Sequence, residues 1–251
     1  MAGALVATVP PAASAAVSPT LADRLASSDP GDRIAVVATL DRQVDGLDHE
    51  GRPAALLRAL RRTAAATQPG VADAVEGPVR SFWLVNAIAF SGTPEEVRAV
   101  AADPAVDAVD LDAPVRIADA ALAQAPFPDP GGGNWGLAAT RVPAVWSGYG
   151  LRGAGVTVGT IDTGVDPAAA ALAGRVVAWR DFIGQSPTPH DDNGHGTHTA
   201  GTIAASPVGG APIGVAPATR LVVARAMGAN GIGPGSALLA AADWMTDPDG
   251  D

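Results

Sequence analysis

The sequence predicts an α/β protein, with a parallel sheet covered by helices on both faces and a smaller α+β domain ahead of it. Three observations carry this expectation. Residues 156–161 and 221–226 are continuous apolar runs of strand length, alternating with helix-compatible stretches at 196–205 and 236–245. Strands that are apolar on both faces belong to parallel sheets sandwiched between helices. Upstream, residues 33–111 read in the order β-α-β-β-α-β, the split βαβ arrangement of ferredoxin-like domains. Between the two blocks, residues 118–133 are Ala-rich and then carry Pro126, Pro128, Pro130 and a run of glycines, the composition of an exposed linker.

Within the first block, residues 33–40 are rich in β-branched side chains and read as a strand. Leu56, Leu57, Leu60 and Ala64 recur at helical spacing within residues 53–67. Residues 79–90 are long and apolar enough for two strands or one bent strand. Thr93-Pro94-Glu95-Glu96 is a capping box with proline at the first helical position, opening a helix through Ala102. Residues 106–111 alternate as a strand does. The domain boundaries read from this pattern are a tail at 1–31, an α+β domain at 32–117, a linker at 118–133 and an α/β domain at 134–251. The tail has an apolar run at 4–9 and the small-x-small triplet Ala13-Ser14-Ala15, as in a signal peptide, but no basic residue before Arg24. It reads as a signal-peptide remnant or a flexible tail.

Composition removes several classes of function. The formal net charge is −10, and the basic residues are all Arg and scattered, so nucleic acid and anionic membranes are not expected partners. With no Cys, there is no disulfide, thiolate nucleophile or thiolate metal site. At 47% hydrophobic and 17% charged residues, the chain is suited to packed cores, and it contains no apolar run long enough to span a bilayer.

The chemistry concentrates in two strings. Val156-Thr157-Val158-Gly159-Thr160-Ile161-Asp162-Thr163-Gly164 reads as a buried strand that delivers a carboxylate at its C-terminal end, where active sites of open α/β sheets form. His195-Gly196-Thr197-His198-Thr199-Ala200-Gly201-Thr202 reads as a loop turning into a helix of small residues with a histidine at its mouth. A carboxylate followed by a histidine is two members of an Asp-His-Ser triad, the carboxylate fixing the ring tautomer and the imidazole moving the proton. Other readings stand beside this one. Asp162 could cap the following turn. His195 and His198 could be metal ligands, but no third ligand at helical spacing accompanies them. Asp-Thr-Gly also occurs in aspartic peptidases, which need a second such Asp in β-rich lobes. His198 reads as a packed or hydrogen-bonded core residue, and His190, Asp191 and Asp192 read as a solvated loop.

The second block resembles the subtilisin-like serine peptidases (the subtilase, or S8, family). The resemblance rests on Ile161-Asp162-Thr163-Gly164, on Asn193-Gly194-His195-Gly196-Thr197-His198, on Ile213-Gly214-Val215-Ala216-Pro217 and on Asn230-Gly231-Ile232-Gly233, all in the family's order. It implies that Asp162 is the orienting acid and His195 the general base. It also implies that Gly231, Ile232 and Gly233 form the segment whose backbone pairs with extended polypeptide substrate. Upstream, residues 82–88 and 103–109 resemble the inhibitor I9-like propeptide of that family, which would act as an intramolecular inhibitor; residues 82–88 and the acidic residues after Trp244 look most like the bacillopeptidase F branch. The resemblance implies no cofactor. The family commonly binds structural calcium, but the aspartates here show no ligand spacing. The family's oxyanion Asn and Gly-Thr-Ser nucleophile motif do not occur before Asp251. The chain is therefore expected to be the N-terminal part of a secreted zymogen and inactive by itself. The alternative is a non-catalytic inhibitor or folding-assistant module.

Overall fold

The computed structural model describes residues 15–45, 51–117 and 134–250. The expected linker at 118–133 and the signal-like residues 1–14 lie outside them. Two compact units emerge, residues 1–113 and 114–251.

The first unit is a five-stranded sheet in the order β1-β5-β2-β4-β3. Its strands are β1 (Ala16–Val17), β2 (Ile34–Leu40), β3 (Val79–Phe82), β4 (Ala87–Gly92) and β5 (Val106–Leu111). The helices are α1 (Pro19–Ser27), α2 (Pro53–Ala72) and α3 (Pro94–Ala101). Central β2 is antiparallel to both β4 and β5 and buries Ile34, Val36, Ala38 and Leu40, the alternate positions that one face of a pleated strand presents. The apolar run at 79–90 forms two strands. The turn between them is pinned by Asn86, whose Nδ2 donates to the Arg42 carbonyl at 2.7 Å. The capping box forms as read: Glu96 accepts from the Thr93 N–H at 2.6 Å while its own N–H donates to the Thr93 hydroxyl at 3.2 Å. Helix α2 runs past Thr67 and through Pro69, because Gln68 hydrogen-bonds Phe82 O and Asn86 Oδ1, and Val71 is buried in the core.

Residues 16–27 differ from the expected tail. Strand β1 pairs in parallel with β5, and Leu21 and Leu25 of α1 join the core cluster. Ser18 caps α1, and Pro19 occupies its first turn, a start signal present in the sequence.

The second unit is built on a three-stranded parallel sheet, β7-β9-β8, from β7 (Thr157–Asp162), β8 (Val176–Asp181) and β9 (Arg220–Arg225). Strand β8 is an addition to the strands expected from the sequence. Alternate residues of β9 face opposite sides. Leu221 and Val223 pack with Ala200 and Ala204 of α6 (His195–Ala204), and Ala224 packs with Ala237 and Ala241 of α7 (Gly235–Thr246). The sheet is thus covered on both faces, as expected of continuous apolar strands. Two short helices precede it, α4 (Trp135–Ala139) and α5 (Val142–Tyr149); the Trp146 indole of α5 donates to Val215 O at 3.0 Å. Strand β6 (Pro114–Arg116) pairs antiparallel with β10 (Ile232–Pro234). The boundary therefore falls before Pro114 rather than after Ile117, since this pairing draws residues 114–117 into the second unit.

Candidate active site

Each parallel strand ends on a charged residue, and the three ends are in register: Asp162 of β7 opposite Arg225 of β9, and Arg225 opposite Asp181 of β8. This is the carboxyl edge of the sheet, where α/β folds place their chemistry.

Asp162 is buried, and three donors converge on its carboxylate. Oδ1 accepts from the Thr163 N–H at 2.7 Å, Oδ2 lies 3.0 Å from the Thr199 hydroxyl, and His195 Nδ1 approaches both oxygens at 2.8 and 2.9 Å. His195 is the first residue of α6, behind Gly194 in the left-handed conformation. Facing a carboxylate acceptor, Nδ1 carries a proton, so in the neutral imidazole Nε2 holds the lone pair. Nε2 has no hydrogen-bond partner among the described residues, and the side chain is 33% exposed. The ring is therefore oriented from behind and open in front, the disposition of a general base.

Close backbone approach makes this meeting possible. A Cβ on Gly196 would fall 2.1 Å from Gly164 O, so only glycine lets the first turn of α6 lie against the loop after β7. His198, three residues from His195, is exposed rather than packed; the small-residue face of α6 that enters the core is formed by Ala200 and Ala204. His190 lies edge-on to Trp179, with ring centroids 5.8 Å apart.

The stretch expected as a solvated loop carries two structural carboxylates. Asp192 accepts from Arg225 Nη2 at 3.3 Å, while Arg225 Nη1 reaches both oxygens of buried Asp181 at 3.2 and 3.3 Å. Burial pushes the Asp181 carboxyl up. Hydrogen bonds from the N–H groups of Gly184, Ile183 and Ser186 and from Arg225 outweigh it and hold the group below its usual range. Asp191 accepts from Thr163, Asn193, Gly194 and Thr197. Among the described residues, no group of three His, Cys, Asp or Glu side chains is placed to hold a metal ion.

Gly231, Ile232 and Gly233 lie beside this site. Asn193 Nδ2 donates to Ala229 O at 2.8 Å, tying their loop to the residues before His195. The edge they present is occupied: Ile232 pairs with Arg116, Gly233 with Val115, and the Ile117 N–H donates to Gly231 O at 3.0 Å. A Cβ on Gly231 would sit 2.6 Å from Ile117 Cγ1, and one on Gly233 would sit 1.9 Å from Ala226 O.

Residues 153–250 match the family model described as "Subtilase family" (Peptidase_S8). This stretch belongs to the subtilases. An alkaline protease of Shouchella clausii is 31% identical over 166 residues, which cover 66% of this chain and 40% of that protein. Serine protease AprX of Bacillus subtilis (strain 168) is 48% identical over 56 residues, covering 22% of this chain and 12% of AprX. A solved structure described as a cold adapted subtilisin-like serine proteinase aligns at 38% identity over 38% of this chain and 33% of its own, with a TM-score of 0.34. The chain spans about two-fifths of the length of the alkaline protease it matches. No helix among the described residues is long and apolar enough to cross a membrane.

Proposed function

We propose that this chain supplies the acid and the base of a serine endopeptidase, in which Asp162 orients His195 and His195 Nε2 takes the proton of a nucleophilic serine. The supporting observation is the pair of short contacts from His195 Nδ1 to the Asp162 carboxylate, combined with an Nε2 that has no partner among the described residues. In this reading the serine Oγ attacks the peptide carbonyl as its proton passes to Nε2, and the imidazolium is stabilised by Asp162. The proton then passes to the leaving amine, and water hydrolyses the acyl-enzyme by the same route. The serine and the oxyanion donor are supplied by sequence beyond Asp251. The chain alone is then inactive, and the whole protein is a secreted zymogen acting on polypeptides. Residues 32–117 serve as its propeptide.

The pairing of β6 with β10 supports the assignment of Gly231, Ile232 and Gly233 to substrate binding. Extended substrate is recognised by the same antiparallel main-chain pairing that Pro114–Arg116 makes. In the zymogen, this segment fills the strand position that substrate takes after processing.

Fluorophosphonate labelling tests the proposal. The full-length product labels, and His195→Ala lowers its kcat by about 10⁴-fold or more, whereas the 251-residue chain does not label. Labelling of this chain at Ser147, Ser186, Ser206 or Ser236, or full activity of the His195→Ala enzyme, would overturn the assignment.

A further inference from the structure

Asp162 and His195 lie on different elements, so something must hold the end of β7 against the mouth of α6. Asp191 stands between them. Its Oδ1 accepts from the Thr163 hydroxyl at 2.9 Å, the Gly194 N–H at 2.9 Å and the Asn193 N–H at 3.2 Å. Its Oδ2 accepts from the Thr197 N–H at 2.8 Å and the Thr197 hydroxyl at 2.6 Å. These donors bracket the pair: Thr163 directly follows Asp162, and Gly194 directly precedes His195.

The Thr163 hydroxyl has a single proton. Because that proton points to Asp191, the oxygen turns a lone pair toward the Gly196 N–H, which donates to it at 2.9 Å. The polarity of this relay requires an acceptor oxygen at position 191. The backbone converges on the same point: Gly164 and Asp191 form an isolated antiparallel bridge, and the Val165 N–H donates to His190 O at 3.2 Å.

We propose that Asp191 is a positioning residue for the Asp162–His195 pair, fixing through Thr163, Gly194 and Thr197 the separation at which Nδ1 meets the carboxylate. The inference rests on the acid–base reading of that pair and adds a residue that acts through it.

Ring nitrogen shifts of His195, measured on the ¹⁵N-labelled chain at a pH well above histidine's ordinary range, provide the test. The unsubstituted chain shows one tautomer, protonated at Nδ1. Asp162→Asn, the control for the acid–base reading, disturbs it. Asp191→Ala moves the ring toward a mixture of tautomers and speeds exchange of the Nδ1 proton by about tenfold or more, while circular dichroism of the same sample retains the folded signal. Should Asp191→Ala fail to fold, Thr197→Val removes one hydroxyl bond alone; its effect is smaller and in the same direction, and Thr197→Ser restores the original spectrum. If Asp162→Asn changes the tautomer but neither Asp191→Ala nor Thr197→Val does, Asp191 only braces the loop and the proposal falls. If Asp162→Asn also changes nothing, the acid–base reading itself fails, and the proposal falls with it.

Discussion

The two units bury apolar surface in opposite ways. In residues 1–113 the core includes large side chains (Leu21, Ile34, Leu40, Ile88, Phe90, Val97 and Val109 among them) gathered in one cluster around a sheet that is antiparallel except for β1. In residues 114–251 the buried residues split between the two sheet faces. On one of these faces the fully enclosed members, Ala224, Ala226, Ala237 and Ala241, are all alanines. Exposure follows the same division. Among the described residues, Val85 is the only exposed large apolar side chain outside the second unit, which leaves Tyr149, Leu151, Val156 and Val177 open. The first unit is held by area. The second gives up area so that backbones can touch, and the hydrogen bonds around Asp162, Asp191 and His195 form where they meet.

This contrast predicts opposite sensitivities to side-chain size, with the largest effect in the first unit. Phe82 is fully buried there, and truncating it removes both transfer energy and packing. Phe82→Ala is expected to lower the opening free energy of β3 and β4 by about 3–5 kcal/mol, read as faster amide exchange across residues 79–92. A loss below about 1 kcal/mol would mean that the site collapses around the cavity and that area is not what holds this unit.

The junction of β7 and α6 is built from glycines and other small residues and offers little to truncate, so enlargement is the way to break it. Gly196→Ala places a methyl 2.1 Å from Gly164 O and 2.8 Å from Gly164 N, backbone atoms that no rotamer change can move aside. Overpacking of this kind typically costs about 1–3 kcal/mol, and because the contact is with backbone the upper end is expected. Denaturant unfolding monitored at tryptophans of the second unit, Trp179 and Trp244, measures it. An unchanged midpoint would show that close approach at this position is incidental.

The sequence is legible where pattern is local. Asp162 closes an apolar strand, and His195 sits in a glycine-flanked loop, so both the identity and the placement of the candidate pair can be read. Gly231, Ile232 and Gly233 are singled out by the family resemblance alone, since Gly-Ile-Gly after a strand carries no chemical signal by itself. The strand at 176–181 is harder to see, because it is short and its period is irregular along Val176–Asp181. Helix α1 carries a readable start in Ser18-Pro19 and a one-turn repeat in Leu21 and Leu25, but the Ala- and Pro-rich context before it suggests a tail. Asp191 leaves no trace that periodicity can detect. Its partners Thr163 and Thr197 lie 28 and 6 positions away, and side-chain hydrogen bonding has no repeat. His198 departs from expectation because a helix of small residues suggests packing all round, whereas only one face of α6 enters the core.

The smallest expected effect concerns acid, and it sharpens the comparison through one carboxylate in each unit. In the first unit, Glu96 is held below its usual range by the N–H groups of Thr93 and Glu76, but its ion-pair partner Arg33 is exposed, where solvent weakens the coupling to folding. In the second, burial alone would push Asp191 up, yet hydrogen bonds from Thr197, Gly194 and Thr163 outweigh it and hold the group at about 2, below the ordinary 3.8. A carboxylate whose folded value is depressed stabilises the folded state at pH above its unfolded value and loses that contribution as pH falls through the folded one. For Asp191 the loss runs from about pH 4 down to about pH 2 and, allowing for partial solvent exposure, amounts to about 1 kcal/mol. Asp181 is also depressed, so the second unit as a whole weakens in acid, and the share due to Asp191 must be isolated by difference. Amide exchange at Gly194 and Thr197, followed across that window in the unsubstituted chain and in Asp191→Asn, isolates it. Protection that falls with acid in the unsubstituted chain, and that in Asp191→Asn starts lower and falls only by the share due to Asp181, is the expected result. Parallel curves would assign the acid sensitivity to Asp181 and leave Asp191 without energetic weight at the junction of β7 and α6.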